Sequence, residues 1–438
     1  MTINLSFKGV TEPYETKSGY KITPIAEKPL MRNVKEAIKA AKALDSHSGL
    51  NGRAYYLGED LIVKKYMPLS EAANYNPERE ISALDLMYEK GVKNENIQQG
   101  MYAFKTPEGG EYLVSSRIKG ARPDIKNNPF NKNNLNALVS VLCDLDMPHR
   151  TSETGFFPYE IPMHYDLAPG NIVISDKSAG LIDFEYLKFE NLDIPLFNQL
   201  KGKFDCHCDY SDIAGIPSNL RNFEYRTLYK YMMNQKPEEA EALLKDYLKA
   251  KSSYHEKRSE FYNKEAQKAM QQQDKTHTAL YSDLSLREKA HAQMLKTDNQ
   301  DVLKSEILKI QLADFIYTQS PFSHSGKEKI NIRQIKDYLK NAEDFFRHKR
   351  CNAENVYEAV YYKDCLQLID NWKGVIGWMD WQQYLLDKLI FAAKNEDYNY
   401  ISKYKEDAET ARIFGKKLTD EKQKTLDEHI LRHRLVIK

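Results

Sequence analysis

Residues 164–186 constrain what this chain can fold into more than any other stretch. His164-Tyr165-Asp166-Leu167-Ala168-Pro169-Gly170-Asn171 leads into the β-branched run Ile172-Val173-Ile174. The turn residues Asp176-Lys177-Ser178-Ala179-Gly180 follow, then a second apolar run, Leu181-Ile182-Asp183-Phe184. Two such runs flanking turn chemistry spell a hairpin. Centred near Lys177, it makes Asn171 and Asp183 partners at its open end, so that an amide oxygen and a carboxylate face one point. Oxygen ligands of that kind suit a hard cation such as Mg2+. Asp166 lies five residues before Asn171, on a loop braced by Pro169-Gly170. It sits beside that cation without being consumed as a ligand.

His164, Asp166, Asn171, Asp183 and Phe184 match the phosphoryl-transfer template H-x-D-x-x-x-x-N followed by D-F-x. The stretch resembles the aminoglycoside phosphotransferase and choline kinase group of the protein-kinase-like superfamily, whose loops read roughly H-G-D-x-x-P-G-N and I-D-F-E. Pro169, Gly170 and Glu185 fit that version. The resemblance implies an α+β, protein-kinase-like two-lobed fold, with a small antiparallel β-rich N-lobe and a helical C-lobe. It implies ATP and Mg2+, with Asp166 as the catalytic residue that accepts or orients the proton of an acceptor hydroxyl, and with Asn171 and Asp183 as metal ligands. His164 reads as a prop for the loop backbone. Two departures stand out: Tyr165 replaces the usual glycine or arginine, and Glu185 replaces the glycine of D-F-G. An acidic set of Asp166, Asp183 and Glu185 would suit a cationic acceptor such as an amino alcohol or amino sugar.

Upstream, Gly49 and Gly52 precede an alternating segment, and Leu61-Ile62-Val63-Lys64-Lys65-Tyr66 follows the punctuation Gly58-Glu59-Asp60. This reads as strand, turn, strand, and a glycine turn lets backbone N–H groups approach phosphates closely. The resemblance implies a phosphate-contacting lysine here, Lys64 or Lys65. Alternate strand residues point to opposite faces, so only one enters the cleft; Lys64, directly after Leu61-Ile62-Val63, is favoured. Pro77 to Lys90, stopped by Gly91, reads as a helix with Ile81, Leu84, Met87 and Tyr88 as its stripe. Glu80, 16 residues after Lys64, takes the place of the helix glutamate that pairs with the strand lysine in kinases, with Glu78 as the alternative. Strands are expected around Met101–Phe104 and Glu111–Ile118, with an adenine-reading hinge near 115–119.

Downstream, Leu135–Leu145 reads as a buried helix, 219–270 as helices with charged faces, 271–300 as a linker or exposed helix, and 300–438 as an all-helical region without a catalytic motif. Its best periodic stretches are Val302–Ile316, Ile332–Phe346 and Trp378–Ala393. The expected organisation is a tail with a short helix over 1–45, an N-lobe over 46–120, a C-lobe over 121–270, and a helical C-terminal extension over 271–438. With 64 basic and 63 acidic side chains, the net charge of +1 offers no field to draw nucleic acid. No stretch approaches 18 apolar residues and the N-terminus has no apolar core, so neither a membrane span nor a cleaved signal is expected. Five cysteines, odd in number and irregular in spacing, fit a reducing, cytoplasmic setting. Cys206-His207-Cys208 is too tight for an ordinary zinc pair. Three functions compete. The first is a phosphotransferase acting on a small-molecule hydroxyl. The second is a protein kinase that recruits a protein partner through its C-terminal helices. The third is a pseudokinase scaffold. The absence of A-P-E and of a long polar activation segment ranks the first above the second.

Overall fold

A computed structural model describes residues 52–57, 61–66, 77–90, 92, 94–105, 111–150, 159–191, 218–297, 299–319, 332–370 and 372–373, with three two-residue strands at 14–15, 21–22 and 47–48. It is a mixed structure, mostly helical, with small antiparallel sheets. It divides into two units, one within 1–151, 159–190 and 234–250, the other within 152–158, 191–233 and 251–438. The short helix expected within 1–45, Gly49, Cys206–Cys208 and Trp378–Ala393 lie outside the described residues.

The first unit is built on a five-stranded antiparallel sheet in the order β3-β4-β5-β7-β6, with β3 His47–Ser48, β4 Gly52–Leu57, β5 Leu61–Tyr66, β6 Gly100–Lys105 and β7 Glu111–Ser116. β-Branched and aromatic residues favour these pleated segments. β5 lies between β4 and β7, pairing Lys64 with Ala54 on one side and Leu113 on the other. Helix α1, Pro77–Glu89, follows. Its Pro77 suits the first turn, where a missing N–H costs nothing. Ile81, Leu84 and Met87 recur at helical spacing and are buried. Helix α2, Lys132–Asp146, starts at a capping box in which the Asn131 side chain accepts from the Asn133 and Asn134 amides. Its Leu135, Leu138, Leu142 and Leu145 are wholly buried.

After β8, His149–Arg150, and β9, Tyr159–His164, the hairpin of the opening motif is present as β10, Ile172–Ile174, and β11, Ala179–Leu181. Its register differs by one from the sequence expectation. Ile172 faces Leu181, and Ile182 N–H donates to Asn171 O at 3.0 Å, so Asn171 partners Ile182 rather than Asp183. The second strand also ends at Leu181 instead of running to Phe184. The reason is backbone conformation: Asp183 adopts φ 63°, ψ 68°, which no strand accommodates, and a 3-10 turn begins at Phe184. Residues 96–98 run parallel to β11, with Leu181 N donating to Asn96 O at 2.9 Å and Gln98 N to Leu181 O at 3.0 Å. Only glycine fits at 180, since a Cβ there would meet Asn96 O at 2.5 Å.

The described residues of the second unit from 218 on are mostly helical. Asn219–Phe223, a π-helical turn Glu224–Leu228 and Tyr229–Met233 form one continuous run. Helix Pro237–Gln271 counts with the first unit to Ala250 and with the second from Lys251. Of the two expectations for 271–300, a linker or an exposed helix, the structure has the helix, Lys275–Leu295, and it buries Tyr281, Leu284, Ala290, Met294 and Leu295. Its polar residues hide that stripe from a composition count, and the chain enters it through a left-handed Gln273 and the Asp274 cap. Helices Gln300–Gln319 and Ile332–Cys351 cover two of the expected periodic stretches. Among the described residues no helix is long and apolar enough to cross a membrane.

Candidate functional site

Lys64, Glu80 and Asp183, distant in sequence, meet in the first unit. Lys64 Nζ lies 2.6 Å from Glu80 Oε2 and 3.2 Å from Asp183 Oδ1. Strand alternation puts Lys64 on the face towards α1, whereas its neighbour Lys65 is exposed. Tyr66, two residues on and therefore on the same face, donates its hydroxyl to the same Glu80 oxygen at 2.8 Å. Glu80 is 1% exposed, and its Oε1 has no hydrogen-bond partner among the described residues.

Burial works to lower the Lys64 pKa, but attraction to Glu80 and then Asp183 more than offsets it, and the ammonium is held well above the ordinary lysine value. Burial pushes the Glu80 carboxyl up from its ordinary value, against the attraction of Lys64. Lys64 is thus a fixed cation at neutral pH. Its partial exposure and its second contact, with the 40%-exposed Asp183 side chain, leave it able to meet an anion.

Asp166 and Asn171 form the other half of the site. Asn171 Nδ2 donates to Asp166 O at 2.8 Å and to Asp166 Oδ2 at 2.9 Å, so one amide fixes both backbone and carboxylate of the loop aspartate. His164 is fully buried and props the loop. Asp166 N–H donates to its Nδ1 at 3.3 Å, which assigns the proton to Nε2, 3.1 Å from Ile182 O. Its ring packs on Phe184 at 4.7 Å between centroids. His164 therefore joins the Asp166 loop to the segment carrying Asp183.

The residues fit a hard cation. Asn171 spends its Nδ2 on Asp166, which leaves Oδ1 without a protein partner among the described residues. Asp183 has Oδ1 on Lys64 and its other oxygen without a protein partner among the described residues. The Asn171 backbone pairs with that of Ile182, and Asp183 is the next residue, at the turn that leaves β11. No cluster of three or more His, Cys, Asp or Glu suited to a metal exists among the described residues. Mg2+ does not require one, since it keeps waters and takes substrate phosphates beside one or two protein oxygens.

Other sequence expectations fare differently. Gly52 opens β4 and pairs with Tyr66, while Gly49 lies outside the described residues. Glu185 is 6% exposed, so it adds nothing to an open acidic surface, and that part of the argument for a cationic acceptor falls. Sequence reasoning missed Tyr66 and Gln98, and placed Ser115 only at the start of the expected 115–119 hinge. Strand parity with Lys64 would have found Tyr66. Gln98 comes from a connecting segment with no periodic signal.

No protein-family model matches the chain, and no curated protein proves similar to it. Among solved structures similar to it is a CAK complex of Chaetomium thermophilum bound to ATP-gamma-S, at 12% identity and a TM-score of 0.27 over 43% of this chain. This chain spans 58% of the length of that one. Another is a choline/ethanolamine kinase family protein of Mesorhizobium loti, also at 12% identity and 0.27, covering 76% of this chain and 99% of that one. Both superpositions are loose, and the chemistry here rests on this chain's own side chains.

Proposed function

We propose that the chain is an ATP- and Mg2+-dependent phosphotransferase with a protein-kinase-like two-lobed architecture, moving the γ-phosphoryl group of ATP to a hydroxyl of a small molecule in a cytoplasmic setting. The observation that carries this reading is the convergence of Lys64, Glu80 and Asp183 within 3.2 Å, across sequence separations of 16 and 119. Phosphoryl transfer asks little covalent chemistry of a protein; it asks for positioning and charge stabilisation. Lys64, held by Glu80, neutralises the non-transferred phosphates. Asp166, oriented by Asn171, accepts or orients the proton of the acceptor hydroxyl for in-line attack. Asn171 Oδ1 and Asp183 would hold Mg2+, which when bound supplies charge neutralisation on the phosphates. An amino alcohol or amino sugar as acceptor follows from the family resemblance of 164–186 alone.

The acceptor is tested by incubating the chain with γ-labelled ATP, Mg2+ and a panel of amino alcohols, amino sugars, neutral sugars and generic proteins. Label on a small-molecule hydroxyl is expected. Label on protein alone would replace the small-molecule reading with that of a protein kinase.

A further inference from the structure

We propose that Gln98 is a positioning residue that holds Asp183 in its left-handed conformation and so aims its carboxylate. The hold itself rests on geometry; its purpose rests on the phosphotransfer reading. A non-glycine residue at φ 63° is strained and persists only where its surroundings over-determine it.

Gln98 supplies that determination. Its side chain is 5% exposed, and its Oε1 accepts the Asp183 N–H at 2.8 Å. Its Nε2 donates to Ser115 Oγ at 2.7 Å. Ser115 is wholly buried on β7 and anchors the far end of the amide, while the Asp183 N–H, which can only donate, sets which way the amide faces. Flipped, the NH2 would meet the Asp183 N–H, donor against donor. The Gln98 backbone is itself fixed, donating to Leu181 O at 3.0 Å beside β11. From the next residue, Ile182 O meets His164 Nε2. The backbone at 181–183 is thus held at successive positions, and Gln98 provides two of the contacts.

Gln98→Leu keeps the volume and removes both polar atoms. Gln98→Glu keeps the acceptor for Asp183 N–H, and the Ser115 hydroxyl rotates to donate to the carboxylate. Two readouts on the full chain separate positioning from mere structure. The first is amide exchange in the peptide containing 182–186. Gln98→Leu should speed it about five- to tenfold, the loss of one ordinary hydrogen bond, and Gln98→Glu should leave it near wild type. The second is the Mg2+ concentration for half-maximal ATP turnover, which Gln98→Leu should raise by about tenfold, as support of a metal ligand predicts, with Gln98→Glu close to wild type. Unchanged exchange in Gln98→Leu overturns the proposal. Faster exchange with an unchanged Mg2+ requirement also overturns it, leaving Gln98 a structural residue. If Gln98→Leu does not fold, Ser115→Ala decides by the same readouts at smaller amplitude, since it frees the amide to rotate. If the wild-type chain turns over no ATP, the phosphotransfer reading fails by itself, and the exchange arm still decides whether Gln98 holds Asp183.

Discussion

Among the described residues, Glu80 carries two donors on one oxygen and none on the other. Oε2 fixes Lys64, and the Tyr66 hydroxyl fixes Oε2. Tyr66→Phe removes that second donor without changing shape. It should cost about 1.5–3 kcal/mol, the range for hydrogen bonds to charged groups. A lower urea midpoint at unchanged slope would measure it; an unchanged midpoint would show that Tyr66 does not support Glu80. Breaking the ion pair itself is a harsher change, because the Lys64 ammonium would keep only the longer contact with Asp183.

At the scale of elements, close backbone approach and buried charge set the limits. The parallel run of 96–98 along β11 requires Gly180. A Cβ there would meet Asn96 O and Ile118 Cγ2, each at 2.5 Å. Gly180→Ala should therefore cost about 1–3 kcal/mol of overpacking, read as a drop in melting temperature. An unaltered melt would contradict the packing described for this hairpin. In the second unit, helices are joined by buried polar groups. Lys251 bridges Glu224 at 2.5 Å and Glu306 at 2.8 Å, and Tyr361 donates to Glu306 at 2.7 Å. His255 Nδ1 lies 2.6 Å from Glu288, which also holds Arg258, and its ring stacks on His291. Burial pushes the His255 pKa down to about 3, with Glu288 opposing and His291 and Lys251 adding to the depression. The unfolded chain takes up that proton near pH 6.5. Between those values the unfolded state binds the extra proton, so stability falls as pH drops through the window, by up to about 1.4 kcal/mol per unit. Burial alone would raise Glu288, yet Arg258 and His255 hold it well below the usual carboxylate range, which adds loss of the same sign at the acid end. Denaturation midpoints at pH 7 and pH 5 should therefore converge more closely in His255→Gln than in the wild type. Equal pH dependence in both would refute the buried neutral imidazole.

Over the whole molecule, what could be read from the residues follows the range of the interactions. Lys64, Glu80, helix α1 and the β4–β5 hairpin were legible because strand parity, proline and glycine punctuation and helical spacing are local signals. The hairpin at 172–181 was legible too, but its register was one residue off, since the left-handed Asp183 is enforced by Gln98 from 85 residues away. The packing of helix 275–295 and the charge network around Lys251 and Glu288 were not legible, because buried polar pairs look like solvated residues until their partners are in place. The near-zero net charge selects no substrate, so the chemistry has to be argued from the site. Its central claim is that Asp166 and Asp183 serve Mg2+-dependent phosphoryl transfer. The most direct measurement is release or transfer of the γ-phosphoryl group from ATP, with and without Mg2+, by wild type, Asp166→Ala and Asp183→Ala at matched folded content. The account predicts Mg2+-dependent turnover in the wild type, reduced by about 10²–10⁴-fold in Asp166→Ala and lost in Asp183→Ala. Turnover that survives both substitutions, or a wild type that neither binds nor consumes ATP, would contradict it.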